Sequence, residues 1–201
     1  MHEDSTIAKI YNYIKEQDRE DVYIVNDFLH LGSYHAVRKA LLSLADSGKI
    51  KKIINGVYYN PQYCSLIGEY ASPNPYKVAS AISRKYHWTI APSGDTALNL
   101  LGLSTQVVVK WSFISDGPYR VFDIGNVKIE FKHRANRELS NLSYMTALTI
   151  QALKALGREN ITQTQLSIIK RSLSQIDKCV MLQEARYAPT WIYSYIKKIC
   201  E

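Results

Sequence analysis

The stretch from Ser33 to Pro61, SYHAVRKALLSLADSGKIKKIINGVYYNP, constrains the fold of this chain more than any other part of it. Its first half repeats apolar residues at helical spacing. Placed at about 100° per residue, Ala36, Val37, Ala40, Leu41 and Leu44 gather on one side, while His35, Arg38, Lys39 and Asp46 fall on the other. Leu42 also projects outward. Ser33 has the side chain of an N-cap, and Gly48 suits the residue that stops a helix. The second half sets Lys49 to Ile54 and Val57 to Tyr59 on either side of Asn55-Gly56. Asn-Gly between β-branched and aromatic runs predicts a type I′ hairpin, whose two central residues both need φ > 0. The pattern is a basic helix running directly into a lysine-bearing hairpin.

Upstream, Ile7, Ile10, Tyr11 and Ile14 form one helical stripe, with Ser5 as cap. They predict a helix from Thr6 to Gln17, ended by the charged run Glu16 to Asp21. A short helix is expected from Val25 to Leu29, with Asn26 and Asp27 near its start, and Gly32 breaks the chain after it. Helix, short helix, longer helix and hairpin is the element order of a winged helix-turn-helix domain, expected over residues 1–62.

Charge follows the same division. Residues 1–32 carry three Lys/Arg against seven Asp/Glu, and residues 33–59 carry five against one, within a chain of net charge +7. An acidic segment followed by a basic one predicts an electropositive face, the footprint of a polyanion partner. On the predicted helix, Tyr34, His35, Arg38 and Lys39 lie where a recognition helix meets base edges, and Arg38 can hold guanine through two bonds. Lys39 suits phosphate. Lys49, Lys51 and Lys52 put positive charge on the hairpin and its approach, with Asn55 at the tip. A phosphate hydrogen bond from Tyr58 or Tyr59 is expected only from whichever of the two does not pack against Ile53 or Ile54.

Residues 63–75 hold Gly68, Pro73 and Pro75 and read as a linker. Residues 76–201 are expected to form a mixed α+β domain, with a small sheet and several helices. Helices are predicted at Lys77 to Tyr86, through Leu101 after Pro92-Ser-Gly, at Tyr144 to Leu156, at Gln163 to Ile176 and at Trp191 to Ile199. Strands are predicted at Trp88 to Ala91 and Val107 to Ile114, and a hairpin at Val121 to Phe131 about Gly125-Asn126. Thr162 with Gln165 forms a capping-box pattern. In the last helix Ile192, Ile196 and Ile199 face a core, leaving Trp191, Tyr195 and Lys198 for a partner.

Two other chemistries are worth weighing. Glu130-Phe131-Lys132, with Asp116 or Asp123 upstream, has the residue types of a metal-dependent PD-(D/E)xK nuclease. The same residues alternate with Val127, Ile129 and Phe131 as in a strand with one wet face, which is the preferred reading. Ser93-Gly94-Asp95 lacks the surroundings of a nucleophile elbow or phosphate loop. Ser93 is instead expected to cap a helix and Asp95 to sit in its first turn. His35, His87 and His133 share no metal spacing, and His87-Trp88 is read as a strand entrance. Cys64, Cys179 and Cys200 are odd in number and far apart, so free thiols are expected. No cofactor, metal or catalytic residue is expected. There is no basic-then-apolar leader, and no apolar run approaches the roughly 20 residues of a membrane span, so the expectation is a soluble cytoplasmic protein.

The strings IAPSGDTALNLLGLSTQ, SDGPYR, IEFKH and TALTIQALKALG, together with AVRKALLSLADSGKI and GVYYNP, resemble the AbiEi-like antitoxin family. The resemblance runs from about Thr6 to Leu173. It implies the antitoxin half of a type IV toxin–antitoxin pair in abortive phage infection, opposing a nucleotidyltransferase-like toxin without a stable complex. It also implies a winged helix that represses its own operon at inverted repeats in double-stranded DNA, as a possible dimer. Carried over, the DNA contacts are the helix start Ser33 to Lys39 and the wing Lys49 to Lys52. Ser93, Gly94, Asn99 and Gln106 match the C-terminal motif without an assigned role, and the chain after Ile176 lies beyond the resemblance.

Overall fold

The computed structural model describes residues 5–17, 21–66, 68–134, 139 and 141–201. The central residues of the charged run after the first helix, 18–20, lie outside them, as does the side chain of Cys64. The chain is α+β and divides into two compact units, Met1–Trp88 and Thr89–Glu201.

In the first unit, α1 (Thr6–Glu16) is followed by strand β1 (Val22–Ile24), a 3-10 turn (Val25–Phe28), α2 (Tyr34–Asp46) and the hairpin β2 (Lys51–Ile54) and β3 (Val57–Tyr59). The short helix expected at Val25 is thus a 3-10 turn. Its start is tied by the Asp27 carboxylate, which accepts from the Ile24 N–H at 2.9 Å. Ser33 caps α2 as expected, accepting from Ala36 N–H at 3.4 Å. Val37, Ala40, Leu41 and Leu44 are buried with Ile10, Ile14, Phe28 and Tyr58 in one core. Each large side chain buried there contributes about 1.5–3 kcal/mol, which holds α2 against α1 and the sheet.

The three strands pair antiparallel in the order β1-β3-β2. The type I′ turn does not form: Gly56 takes φ 75°, but Asn55 stays out of the positive-φ region. A register irregularity between Lys52 and Ile54 absorbs the difference. Tyr58 and Tyr59 are both buried, at 2% and 8% exposure, so neither keeps a hydroxyl free on an open surface.

The sequence boundaries 1–62 and 63–75 give way to a longer first unit. A two-stranded ribbon, β4 (Tyr63–Cys64) with β5 (Glu69–Tyr70), occupies the supposed linker. Helix α3 (Pro75–Tyr86) then packs on β1 and β3. Polar ties explain why it stays: Lys77 pairs with Asp21 at 2.7 Å, Arg84 pairs with Asp27 at 3.0 Å, and Arg84 also donates to the Val22 carbonyl at 3.1 Å. Lys85 donates to the Asn55 carbonyl at the hairpin tip. His87, expected to open a strand, instead ends α3 in the left-handed region at φ 56°, and Trp88 stacks on Tyr86.

The second unit holds a four-stranded sheet, β6 (Ile90–Pro92), β7 (Lys110–Ser115), β8 (Arg120–Ile124) and β9 (Val127–His133), in the order β6-β7-β9-β8. β7 and β9 are parallel, and the outer pairs are antiparallel. The expected strand from Val107 starts later, because Val107 and Val109 are exposed at 89% and 61%. Helices α4 (Asp95–Leu100) and α5 (Tyr144–Leu156) pack on β7 and β6. With α6 (Gln163–Ser172), α7 (Gln175–Glu184) and α8 (Thr190–Cys200) they build a helical core around Leu153, Ile169, Met181, Ile192 and Ile196. The single helix expected over Gln163 to Ile176 is two. Ser174 starts α7, and its hydroxyl accepts from Asp177 N–H while the Asp177 carboxylate accepts from Ser174 N–H. The Thr162–Gln165 capping box forms as expected at 3.3 and 2.9 Å.

Candidate nucleic-acid interface

The exposed side of α2 is built by its spacing. Tyr34 and Arg38 lie one turn apart, His35 and Lys39 lie beside them, and all four are exposed, as is the cap residue Ser33. The Tyr34 and His35 rings meet edge to face at 6.0 Å. Beneath them lies the Tyr58 phenol: burial pushes its pKa up, while the nearby Arg38 guanidinium pulls it down. Lys52 pairs directly with Tyr58 across the hairpin. Directly opposed residues share a sheet face, so Lys52 joins the α2 side. Among the described residues no carboxylate pairs with Arg38, Lys39 or Lys52, whereas Lys77 and Arg84 of the same unit are neutralised at 2.7 and 3.0 Å. Arg38, Lys39 and Lys52 are the exposed cations of this side, which also carries Tyr34 and His35, and the Asp46 carboxylate lies near enough to Tyr58 to raise its pKa further.

Lys49 and Lys51, the other expected wing contacts, go elsewhere. Lys51 pairs with Tyr59, on the opposite face from Lys52, and its ammonium sits 4.3 Å from the Tyr70 ring centroid. Lys49 sits 4.5 Å from the Tyr11 centroid. Asn55 is exposed at the hairpin tip with its carbonyl already bound by Lys85. The predicted set therefore divides, with Ser33, Tyr34, His35, Arg38, Lys39 and Lys52 on the α2 side and Lys49 and Lys51 against tyrosine rings.

In the second unit Glu130 is 4% exposed and heavily engaged. It pairs with Lys110 at 3.0 Å and Lys132 at 3.3 Å, and accepts from Tyr119 Oη at 2.8 Å and Ser112 Oγ at 3.2 Å. Burial alone raises its pKa, but Lys110, Tyr119 and Lys132 outweigh that and hold the carboxyl at about 2. Asp116 instead accepts from the Thr89 N–H at 2.9 Å, and Asp123 pairs with Lys128 at 3.6 Å. Among the described residues no group of three or more His, Cys, Asp or Glu could hold a metal ion. Strand alternation in the sequence put Glu130 on the wet face. The short polar residue opposite it, Ser112, was the signal that this spot is covered.

The C-terminal motif residues hold the backbone. Ser93 does not cap α4; it is buried, and its N–H donates to the Ser112 carbonyl at 2.9 Å, extending the sheet. Gly94 takes the N-cap position at φ 58° and ψ −139°, a conformation that disfavours any side chain. The Asn99 amide donates to the carbonyls of Ser104 and Gln106 at 3.4 and 3.1 Å, closing the loop after α4. On α8, Trp191 and Tyr195 meet edge to face, Tyr195 Oη donates to the Arg158 carbonyl at 3.2 Å, and Lys198 lies over the Tyr195 ring. Cys179 and Cys200 are free thiols. Among the described residues no helix is long and apolar enough to cross a membrane.

A family of unknown function, DUF6088, matches residues 9–181 of this chain. No curated protein matches the sequence. Among solved structures, the RV2827C protein from Mycobacterium tuberculosis is similar at 13% identity and a TM-score of 0.47, over 97% of this chain and 76% of that one.

Proposed function

The chain belongs to the DUF6088 family, and we propose that it binds duplex DNA as a winged helix-turn-helix regulator. In this reading α2 enters the major groove, Arg38 reads a guanine edge, and Lys39 and Lys52 hold phosphates. The observation that carries it is the set of exposed cations on the α2 side without a carboxylate partner among the described residues. Phosphates are the counter-charge that such a surface lacks. The element order of the first unit, with a β hairpin directly after α2, supports the same reading.

The biological role extends the proposal. The sequence strings that resemble AbiEi-like antitoxins support an autorepressor acting at inverted repeats, as a dimer on DNA, and an antitoxin role against a nucleotidyltransferase-like toxin. That role implies a cytoplasmic protein and assigns no catalytic step to this chain.

Titration of the full chain with its own upstream duplex at several salt concentrations tests the DNA reading. Each phosphate contact adds about 0.9 to the slope of log affinity against log salt. Lys52→Ala is expected to reduce that slope by about 0.9, and Lys51→Ala to leave it nearly unchanged, because Lys51 lies on the other sheet face against Tyr70. Equal slopes for wild type and Lys52→Ala would remove the hairpin from the interface.

A further inference from the structure

The first unit has a second cationic surface, away from the exposed face of α2. A cleft of about 510 Å³ is lined by Tyr11, Lys15, Lys49, Asn60, Gln62 and Tyr63, among others. Its size falls within the roughly 300–1,000 Å³ of small-molecule sites. Tyr11 and Lys15 are four residues apart on α1 and therefore share a helix face. The Lys15 ammonium lies 4.5 Å from the Tyr11 centroid, and Lys49 lies at the same distance from the same ring. The two charges are thus no farther apart than twice that distance. Lys49 is placed by its backbone N–H, which donates to the Leu44 carbonyl at 3.0 Å.

Among the described residues no carboxylate pairs with Lys15 or Lys49. Both lysines line the cleft, so an anion bound in it is attracted by two charges at once. Tyr63, which also lines the cleft, is 57% exposed, with Tyr70 edge to face at 5.3 Å. The connection between β3 and β4 is fixed by backbone bonds, Asn60 N–H to the Asp21 carbonyl at 3.4 Å and Ala71 N–H to the Gln62 carbonyl at 2.7 Å. It brings Asn60 and Gln62, whose side-chain amides can both donate and accept, to the lining of the cleft.

Paired cations, an open aromatic ring and two amides are the three kinds of group that a nucleotide needs: charge for its phosphate, a platform for its base and hydrogen bonds for the base edge. We propose that this cleft binds a nucleoside 5′-phosphate. Lys15 and Lys49 hold the phosphate, the base lies on the Tyr63 ring, and Asn60 and Gln62 meet its edge. The same chemistry is offered by a free nucleotide and by an unpaired nucleotide in a strand. The site does not depend on the duplex-binding reading, and it gives Lys49 a role other than a wing contact.

The test is calorimetric or NMR titration of the full chain with adenosine 5′-monophosphate, with inorganic phosphate and with a short single-stranded oligonucleotide. Saturable binding of the nucleotide is expected at an affinity about tenfold or more above that of phosphate, the margin that base stacking supplies. Lys15→Ala and Lys49→Ala should each weaken it about tenfold, and Tyr63→Ala should bring the nucleotide down to the affinity of phosphate. Arg38→Ala should leave it unchanged. Binding of the monophosphate identifies a free nucleotide as a sufficient ligand; binding of the oligonucleotide alone, through the same residues, identifies a strand. The proposal is overturned if neither saturates, if phosphate binds as well as the nucleotide, or if binding survives both lysine substitutions. Nucleotide binding without any duplex binding would sink the duplex reading and leave this one standing.

Discussion

Arg38→Ala is expected to weaken binding to the specific duplex by about 1–3 kcal/mol, roughly 5- to 150-fold, and to flatten discrimination at one base pair. Arg38 is the residue that can supply a bidentate contact from the middle of the exposed α2 face, one turn beyond Tyr34. It has no carboxylate partner among the described residues, so its removal breaks no ion pair described inside the protein. Its position is set by Val37, Ala40 and Leu41, which stay buried in the variant and keep the helix in place. The fold should therefore be unaffected, and the loss should appear in binding alone. Competition titration against a duplex with the cognate base pair changed checks it. An equal loss on unrelated DNA would make Arg38 a phosphate contact instead.

Glu130→Gln is expected to destabilise the protein by about 2 kcal/mol, with a Tm about 4–8 °C lower at neutral pH. A carboxyl held at about 2 instead of the ordinary 4.5 corresponds to an upper bound of about 3 kcal/mol for the charged form. The real cost is smaller because Lys110 and Lys132 are 56% and 42% exposed and can turn to water once their partner is gone. The glutamine carbonyl oxygen still accepts from Tyr119, and its amide N–H can donate to the Ser112 hydroxyl, so what is lost is chiefly charge. Because the folded value lies below the ordinary one, the contribution is complete above about pH 4.5 and disappears as pH falls towards 2. Wild type and variant should converge across that window in thermal melts. A constant gap down to pH 2 would show that the effect comes from packing.

How much of this was legible depended on the range of the signal. The helices α1, α2, α3 and α5 follow from stripes several turns long, and Ser33, Thr162 and Gly48 mark ends through local bonds that a sequence displays directly. Strand β1, with three residues, is too short to show a period. The Asn55-Gly56 pair announced a hairpin but not its turn, because the irregularity beside Lys52 was free to absorb the twist that a type I′ turn would have set. The break between α6 and α7 was readable in Ser174-x-x-Asp177 and was obscured by apolar residues continuing on both sides. The boundary between the units was not legible. Prolines marked a linker at 63–75, yet ion pairs to Asp21 and Asp27, more than fifty residues upstream, tie α3 to the first sheet. For the candidate site, the helix contribution was visible in full. The division of the hairpin lysines was visible in principle, since adjacent strand residues point to opposite faces, but a count of charges does not carry direction. The tyrosines that receive Lys49 and Lys51 are distant in sequence and had no signal.

The central claim is that the α2 side of the first unit lies against duplex DNA. Amide chemical-shift mapping of the full chain during titration with its upstream duplex tests it most directly. The account predicts shifts over Tyr34 to Lys39 and at Lys52 that saturate at low ionic strength and fade as salt rises. Shifts confined to Thr89–Glu201, or no saturable change at low salt, would contradict it.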